Sequence, residues 1–235
     1  MNRNGNTYTF IYASVMVIVV AALLSYAAIS LKPIQTKNIE IEKKQNILAS
    51  VNIRADVKNA EKVYAEKITT SYVINSKGEK IAGDAFSVDL KKEHEKPLEE
   101  RKLPVFEANL GADGIKYILP LRGTGLWGPI WGYLSFNKDM NTIYGAFFDH
   151  QGETPGLGAE IATEKFQEPF KGKQVFDSNG NFVSLTVAKK GEKAEEIHKV
   201  DAISGGTITS KGLQKMVHDD LASYIVFFNQ KKAEL

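Results

Sequence analysis

The spacing of apolar residues changes along the chain, and each change predicts an element. Residues 10–31 carry no charge; as a helix that run spans roughly 33 Å at about 1.5 Å per residue, enough to cross a bilayer core. Tyr8, Tyr12 and Tyr26 stand toward its ends, where amphipathic rings favour the interface. The stretch reads as a transmembrane anchor over residues 1–35, with a cleaved signal peptide as the competing reading, since Ser25 and Ala27 supply small residues for cleavage. After Pro33 the pattern predicts a new helix from Thr36 or Asn38 carrying Ile41, Ile47, Leu48 and Val51, and a second from Asp56, a capping residue, through Val57, Ala60, Tyr64 and Lys67. Near the C-terminus Leu213, Met216, Val217, Leu221, Tyr224, Ile225 and Phe228 recur on one helical face.

Between these helices the period shortens. Residues 115–121, 130–136, 142–148 and 182–188 read as strands, separated by turns such as Asn137-Lys138-Asp139 and Asp177-Ser178-Asn179-Gly180. A short helix is expected over 159–170, ended by Pro169 and Gly172. The predicted fold is α+β: an antiparallel sheet with one buried face, flanked by helices, forming a domain over residues 36–235. Residues 84–104 are dense in charge, with Lys91-Lys92-Glu93-His94-Glu95-Lys96 before Pro97, and read as a solvated connection or a partner surface.

Composition narrows the function classes. With 30 basic and 28 acidic residues interspersed, a net charge of +2 gives no signature of nucleic-acid binding. The chain has no cysteine, which removes a disulfide, a cysteine nucleophile and a conventional iron–sulfur cluster. Redox chemistry would need an organic cofactor or a metal on other ligands. Charge leaves the orientation open: Arg3 faces Lys32, Lys37, Lys43 and Lys44 across the anchor, a count that puts the domain in the cytoplasm, but large translocated domains override it.

Candidate chemistry concentrates in Asp201-Ala202-Ile203-Ser204-Gly205-Gly206-Thr207-Ile208-Thr209-Ser210, a glycine- and hydroxyl-rich loop at a helix start, where free N–H groups suit a phosphate. The hydroxyls are equally what ordinary helix caps and turns use. Neither G-x-x-x-x-G-K-[ST] nor G-x-G-x-x-G is present, so no ordinary nucleotide cradle is expected. Two further loops stand out. Gly125-Leu126-Trp127-Gly128-Pro129-Ile130-Trp131-Gly132 offers indoles for a flat apolar wall, or packs as core; Glu153-Thr154-Pro155-Gly156-Leu157-Gly158 has the Pro and Gly of a type II turn beside side chains able to read a ring edge. His94, His150, His198 and His218 have no metal-ligand spacing, no G-x-S-x-G elbow is present, and Glu195-Glu196 and Asp219-Asp220 are expected on exposed faces.

Asp201, Ser204, Gly205 and Thr207 resemble the flavinylation sequence D-x-x-S-G-A-T, with Gly206 at the position more usually alanine. Together with the Leu126-Trp127 element, the 153–158 loop and the N-terminal anchor, they resemble the C subunit of the sodium-translocating NADH:quinone reductase, over most of the chain. The G subunit of the related ferredoxin:NAD oxidoreductase is a second resemblance, and an anchored non-redox module is the alternative of another class. The first resemblance implies FMN esterified through its phosphate to Thr207 by a flavin transferase using FAD. It implies a soluble domain outside the cytoplasmic membrane, in a sodium pump whose other subunits (A, B, D, E and F) oxidise NADH and reduce quinone. Electrons would arrive from an iron–sulfur centre in the membrane subunits and leave to a second covalent FMN on the B subunit. On this resemblance Glu153, Thr154, Leu157 and Gly158 lie at the flavin with Leu126 and Trp127, and Ser204, Gly205 and Gly206 near the phosphate. Asp201 serves the transferase or the loop, since a carboxylate against the phosphate is repulsive. No catalytic residue and no metal are expected.

Overall fold

The structure, a computed structural model, describes residues 5–189 and 191–235; Arg3 of the charge count lies outside them. The chain divides between Lys43 and Lys44 into two units. The first is helical, part of α1 (Asn6–Ala49), and its apolar stretch is long enough to cross a membrane. α1 does not stop at Pro33 and restart at Thr36 or Asn38. A proline inside a helix forfeits one backbone hydrogen bond and crowds the preceding turn, yet continuing an existing helix avoids a new nucleus. Thr36, an expected cap, instead donates its hydroxyl to the carbonyl of Lys32 at 3.0 Å.

The second unit begins with the last residues of α1, then α2 (Ala60–Lys67), β1 (Ile68–Ile74), β2 (Lys80–Ile81), α3 (Leu90–His94), β3 (Leu103–Asn109), β4 (Ile115–Thr124), β5 (Pro129–Phe136) and β6 (Ile143–His150). α4 (Glu164–Gln167), β7 (Thr186–Ala188), β8 (Lys199–Asp201), α5 (Thr207–Ser223) and α6 (Ile225–Ala233) complete it. Asp56 caps as expected, accepting from the N–H of Asn59 at 2.8 Å, but it closes a turn and α2 follows only at Ala60. Six antiparallel strands lie in the order β2-β1-β3-β4-β5-β6, and β7 pairs with β8 in parallel outside that sheet.

The expectation of a single buried face fails for the central strands. Successive residues point to opposite sides: Val105, Leu119, Leu134 and Phe136 join Leu213, Val217, Leu221 and Phe228 in one core, while Phe106, Ile118 and Tyr133 join Ile47, Val51 and Ile68 in another. Helices cover the sheet on both sides, so β3 and β4 read as nearly continuous burial rather than alternation.

Three further expectations change in part. Residues 84–104 carry most of their charges exposed, as read, but the segment is also anchored: Glu93 is buried, accepting from Lys96 Nζ and the N–H of Lys102, and β3 starts inside it at Leu103. The strand expected over 182–188 forms only at 186–188, because Ser184 adopts a left-handed φ of 60° and, with Val183, gives its N–H to the carbonyl of Val175. The helix over 159–170 becomes a short α-turn between two 3-10 turns. The apolar face from Leu213 to Phe228 is buried as read, though α5 ends and α6 begins around Tyr224, whose hydroxyl donates to the Pro104 carbonyl at 2.9 Å.

Candidate functional site

α5 is laid tightly on β4. A Cβ on Gly212 would collide with the carbonyl of Thr124, so only glycine permits this approach. That contact brings the start of α5 beside the β4–β5 hairpin tip, where Leu126 and Trp127 are exposed, Trp127 to 69%. Trp127 is therefore not core. Its loop is closed by the N–H of Gly125 donating to the carbonyl of Gly128 at 2.8 Å.

The loop after β6 reaches the same place. The N–H of Leu157 donates to the carbonyl of Thr154 at 3.1 Å and Gly156 has φ 74°, the tight turn its Pro and Gly imply. Thr154 and Leu157 are exposed, whereas Glu153 and Gly158 are buried. Glu153 joins the elements: its Oε1 accepts from the N–H of Trp127 at 2.8 Å and its Oε2 from the hydroxyl of Thr209 at 2.5 Å. Its own N–H donates to Nδ1 of His150 at 3.2 Å, an orienting contact that spacing alone did not show.

The third segment enters α5 through Ser204, Gly205 and Gly206. Ser204 and Gly205 are exposed, Gly206 is buried, and Gly205 has φ 77°. A Cβ at Gly205 would come 2.5 Å from Leu157 Cδ2, which places these loops side by side. A Cβ at Gly206 would come 2.9 Å from Ile203 Cγ2, so the alanine more usual there would force Ile203 to shift in this chain. Thr207 is the first residue of α5 and half-buried, and no side chain caps the helix. The capping reading of the hydroxyls thus gives way to other uses. Thr209 bonds Glu153, Ser210 Oγ accepts from the N–H of Ile203 at 3.1 Å, and the hydroxyls of Ser204 and Thr207 have no partner among the described residues.

Asp201 is not brought into this group. It stands exposed at the end of β8, with no hydrogen bond or ion pair of its carboxylate among the described residues. Conversely, a cleft of about 360 Å³ beside Thr207 is lined by Lys189, Glu192, Lys211, Gln214 and Lys215, the last ion-paired with Asp219, and the sequence singled out none of them. Lys211 lies one helical turn beyond Thr207, a spacing legible only once Thr207 itself is placed in the helix.

Of the acids expected on exposed faces, Asp220 is buried. Its Oδ2 accepts from the N–H of Arg122 at 2.7 Å and its Oδ1 pairs with His94 Nε2 at 2.6 Å. Burial pushes its carboxyl above the ordinary value, opposed by His94 and the Arg122 N–H.

An uncapped helix start, an unpartnered threonine hydroxyl, an exposed indole and lysines nearby make a set suited to a phosphate-bearing, flat-ringed cofactor. The class agrees: the FMN-binding domain family matches residues 125–222, which contain all three loops. The C subunit of the Na(+)-translocating NADH-quinone reductase from Haemophilus ducreyi is 33% identical over 228 residues, covering 90% of this chain and 88% of that protein. Its namesake from Pseudomonas aeruginosa is 31% identical over 240 residues, 92% of each chain. Among solved structures, the same C subunit from Parabacteroides distasonis matches with 46% identity and a TM-score of 0.79 over 84% of this chain and 96% of that one. NqrC of Shewanella oneidensis matches with 27% identity and a TM-score of 0.71 over 83% and 98%. The chain belongs to the C-subunit family of the Na(+)-translocating NADH-quinone reductase, with an FMN-binding domain.

Proposed function

We propose that this chain carries FMN covalently, as a phosphoester on Thr207 Oγ1, and serves as an electron carrier within the sodium-translocating NADH:quinone reductase. The observation that carries the reading is the state of Thr207: among the described residues its hydroxyl has no partner, at a helix start without a side-chain cap inside the matched FMN-binding region.

When bound, FMN supplies the redox centre; the residues here hold and surround it. The free N–H groups of the first turn of α5 and the open Ser204-Gly205 backbone would receive the phosphate. Lys211, one turn into the helix, would offset its charge. Leu126, Trp127 and Leu157 would cover apolar ring surface and exclude water, with Thr154 and Gly158 near the ring edge and Gly206 keeping the backbone close. A phosphoester leaves ring electronics to such noncovalent contacts. Asp201, outside the cluster and exposed, fits recognition by a flavin transferase working from FAD.

The remaining arrangement is inferred from the resemblance to the family. The apolar stretch of α1 anchors the chain, and residues 36–235 form a domain on the outer face of the cytoplasmic membrane. The A, B, D, E and F subunits are its partners, an iron–sulfur centre among the membrane subunits supplies electrons, and a covalent FMN on the B subunit accepts them. Intact-protein mass tests the central step. An increase equal to FMN less one water, localised to the peptide containing Thr207, is expected; an unmodified Thr207 in protein purified with its complex overturns it.

A further inference from the structure

Glu153 was expected at the flavin, but its carboxylate is spent inside the protein. It is 5% exposed, with Oε1 on the Trp127 N–H and Oε2 on the Thr209 hydroxyl. Nearby backbone is shaped around it: a Cβ on Gly125 would lie 2.5 Å from Oε1, and one on Gly158 would collide with Oε2 and come 2.5 Å from Thr209 Oγ1. These two glycines admit the carboxylate between β4, the 153–158 loop and α5. An ionised carboxylate accepts on both oxygens at once, and such bonds to charged acceptors are the strong ones. A glutamine keeps one acceptor oxygen, whereas an alanine removes both.

We propose that Glu153 is a positioning residue: it ties the Trp127 peptide to the first turn of α5, so that the indole and Thr207 keep a fixed relation, and it acts on the flavin through those segments without touching the ring. The proposal rests on the reading that Thr207 carries FMN, and it is narrower than that reading. Thr209 is the second half of the tie, two residues beyond the attachment point and buried. His150, accepting from the Glu153 N–H, holds the acid's backbone from the other side.

Two arms separate this proposal from its foundation. In flavin-free full-length protein made with Thr207→Ala, amide hydrogen exchange reads the tie directly. Glu153→Ala is expected to speed exchange of the Trp127 amide about tenfold, the loss of one hydrogen bond's worth of protection, and Glu153→Gln to restore most of it. In the complex, intact mass first confirms flavin on each variant, and the flavin midpoint potential is then titrated. Glu153→Ala and Thr209→Val should shift the potential in the same direction, with Glu153→Gln close to wild type. Unchanged Trp127 exchange in Glu153→Ala overturns the proposal. So does a Glu153→Gln shift as large as that of alanine with Trp127 still protected, because the carboxylate charge would then act on the ring directly. Thr209→Val cuts one bond without removing the acid, and its unshifted potential overturns the tie even if Glu153→Ala does not fold. Wild-type protein without flavin on Thr207 would instead refute the attachment, leaving the exchange arm to decide the tie.

Discussion

The two ends of α5 handle polar groups in opposite ways. At the N-terminal end, among the described residues, Ser204 and Thr207 have no hydroxyl partner and no side chain caps the first turn, while Leu126, Trp127 and Leu157 stand exposed around them. Toward the C-terminal end, Asp220 is buried with both oxygens used and Tyr224 is buried with its hydroxyl on a carbonyl. A larger cleft, of about 570 Å³, runs along α5 from Gly212 to Ser223, past Thr124, His94 and Asp220. On the proposed reading, the end left incomplete by the protein's own groups is the one that receives the cofactor.

The comparison breaks first at Thr207. Thr207→Ala should abolish covalent flavin completely while leaving a folded, membrane-bound chain, since its hydroxyl bonds none of the described residues; loss of the flavin-fluorescent band on a denaturing gel checks it. At the other end the effect is on stability. Asp220→Ala leaves the Arg122 N–H without its acceptor and removes the partner of His94, at a cost of about 3 kcal/mol by urea unfolding, with flavin still attached.

Protonation sharpens the same contrast. The folded Asp220 carboxyl sits above its unfolded value of about 4, so its contribution is fully present below that pH and is lost as pH rises through the raised folded value. Urea midpoints of Asp220→Asn should therefore gain on wild type as pH rises from about 4. The smallest effect expected is at Ser184, which is buried: its hydroxyl has no partner among the described residues and its φ is left-handed. Ser184→Gly should raise stability by about 1 kcal/mol, read as a higher urea midpoint.

How far such features were legible differs by element. β4, β5 and β6 showed in the sequence because hydrophobic runs there are bounded by turn residues. β1, with Thr69, Thr70 and Ser71, and β3, with Pro104, did not, because polar residues and a proline argue against a strand that pairing nevertheless accommodates. Asp220 was assigned to an exposed face because neighbouring sequence cannot show His94 arriving from a charged segment 126 residues earlier.

By itself the sequence determined what local physics controls: an uncharged run long enough for a bilayer, an amphipathic C-terminal helix, a Pro-Gly turn, and a glycine- and hydroxyl-rich helix start bearing Thr207. Each depends on residues a few positions apart. Only the tertiary structure decided which hydroxyl is free and which acid is spent, since Thr207 and Thr209 differ by what lies opposite them. Glu153, 56 positions away, takes the hydroxyl of Thr209 and leaves that of Thr207 open. Satisfaction of a buried polar group is a property of the packed environment, and no spacing along the chain encodes it.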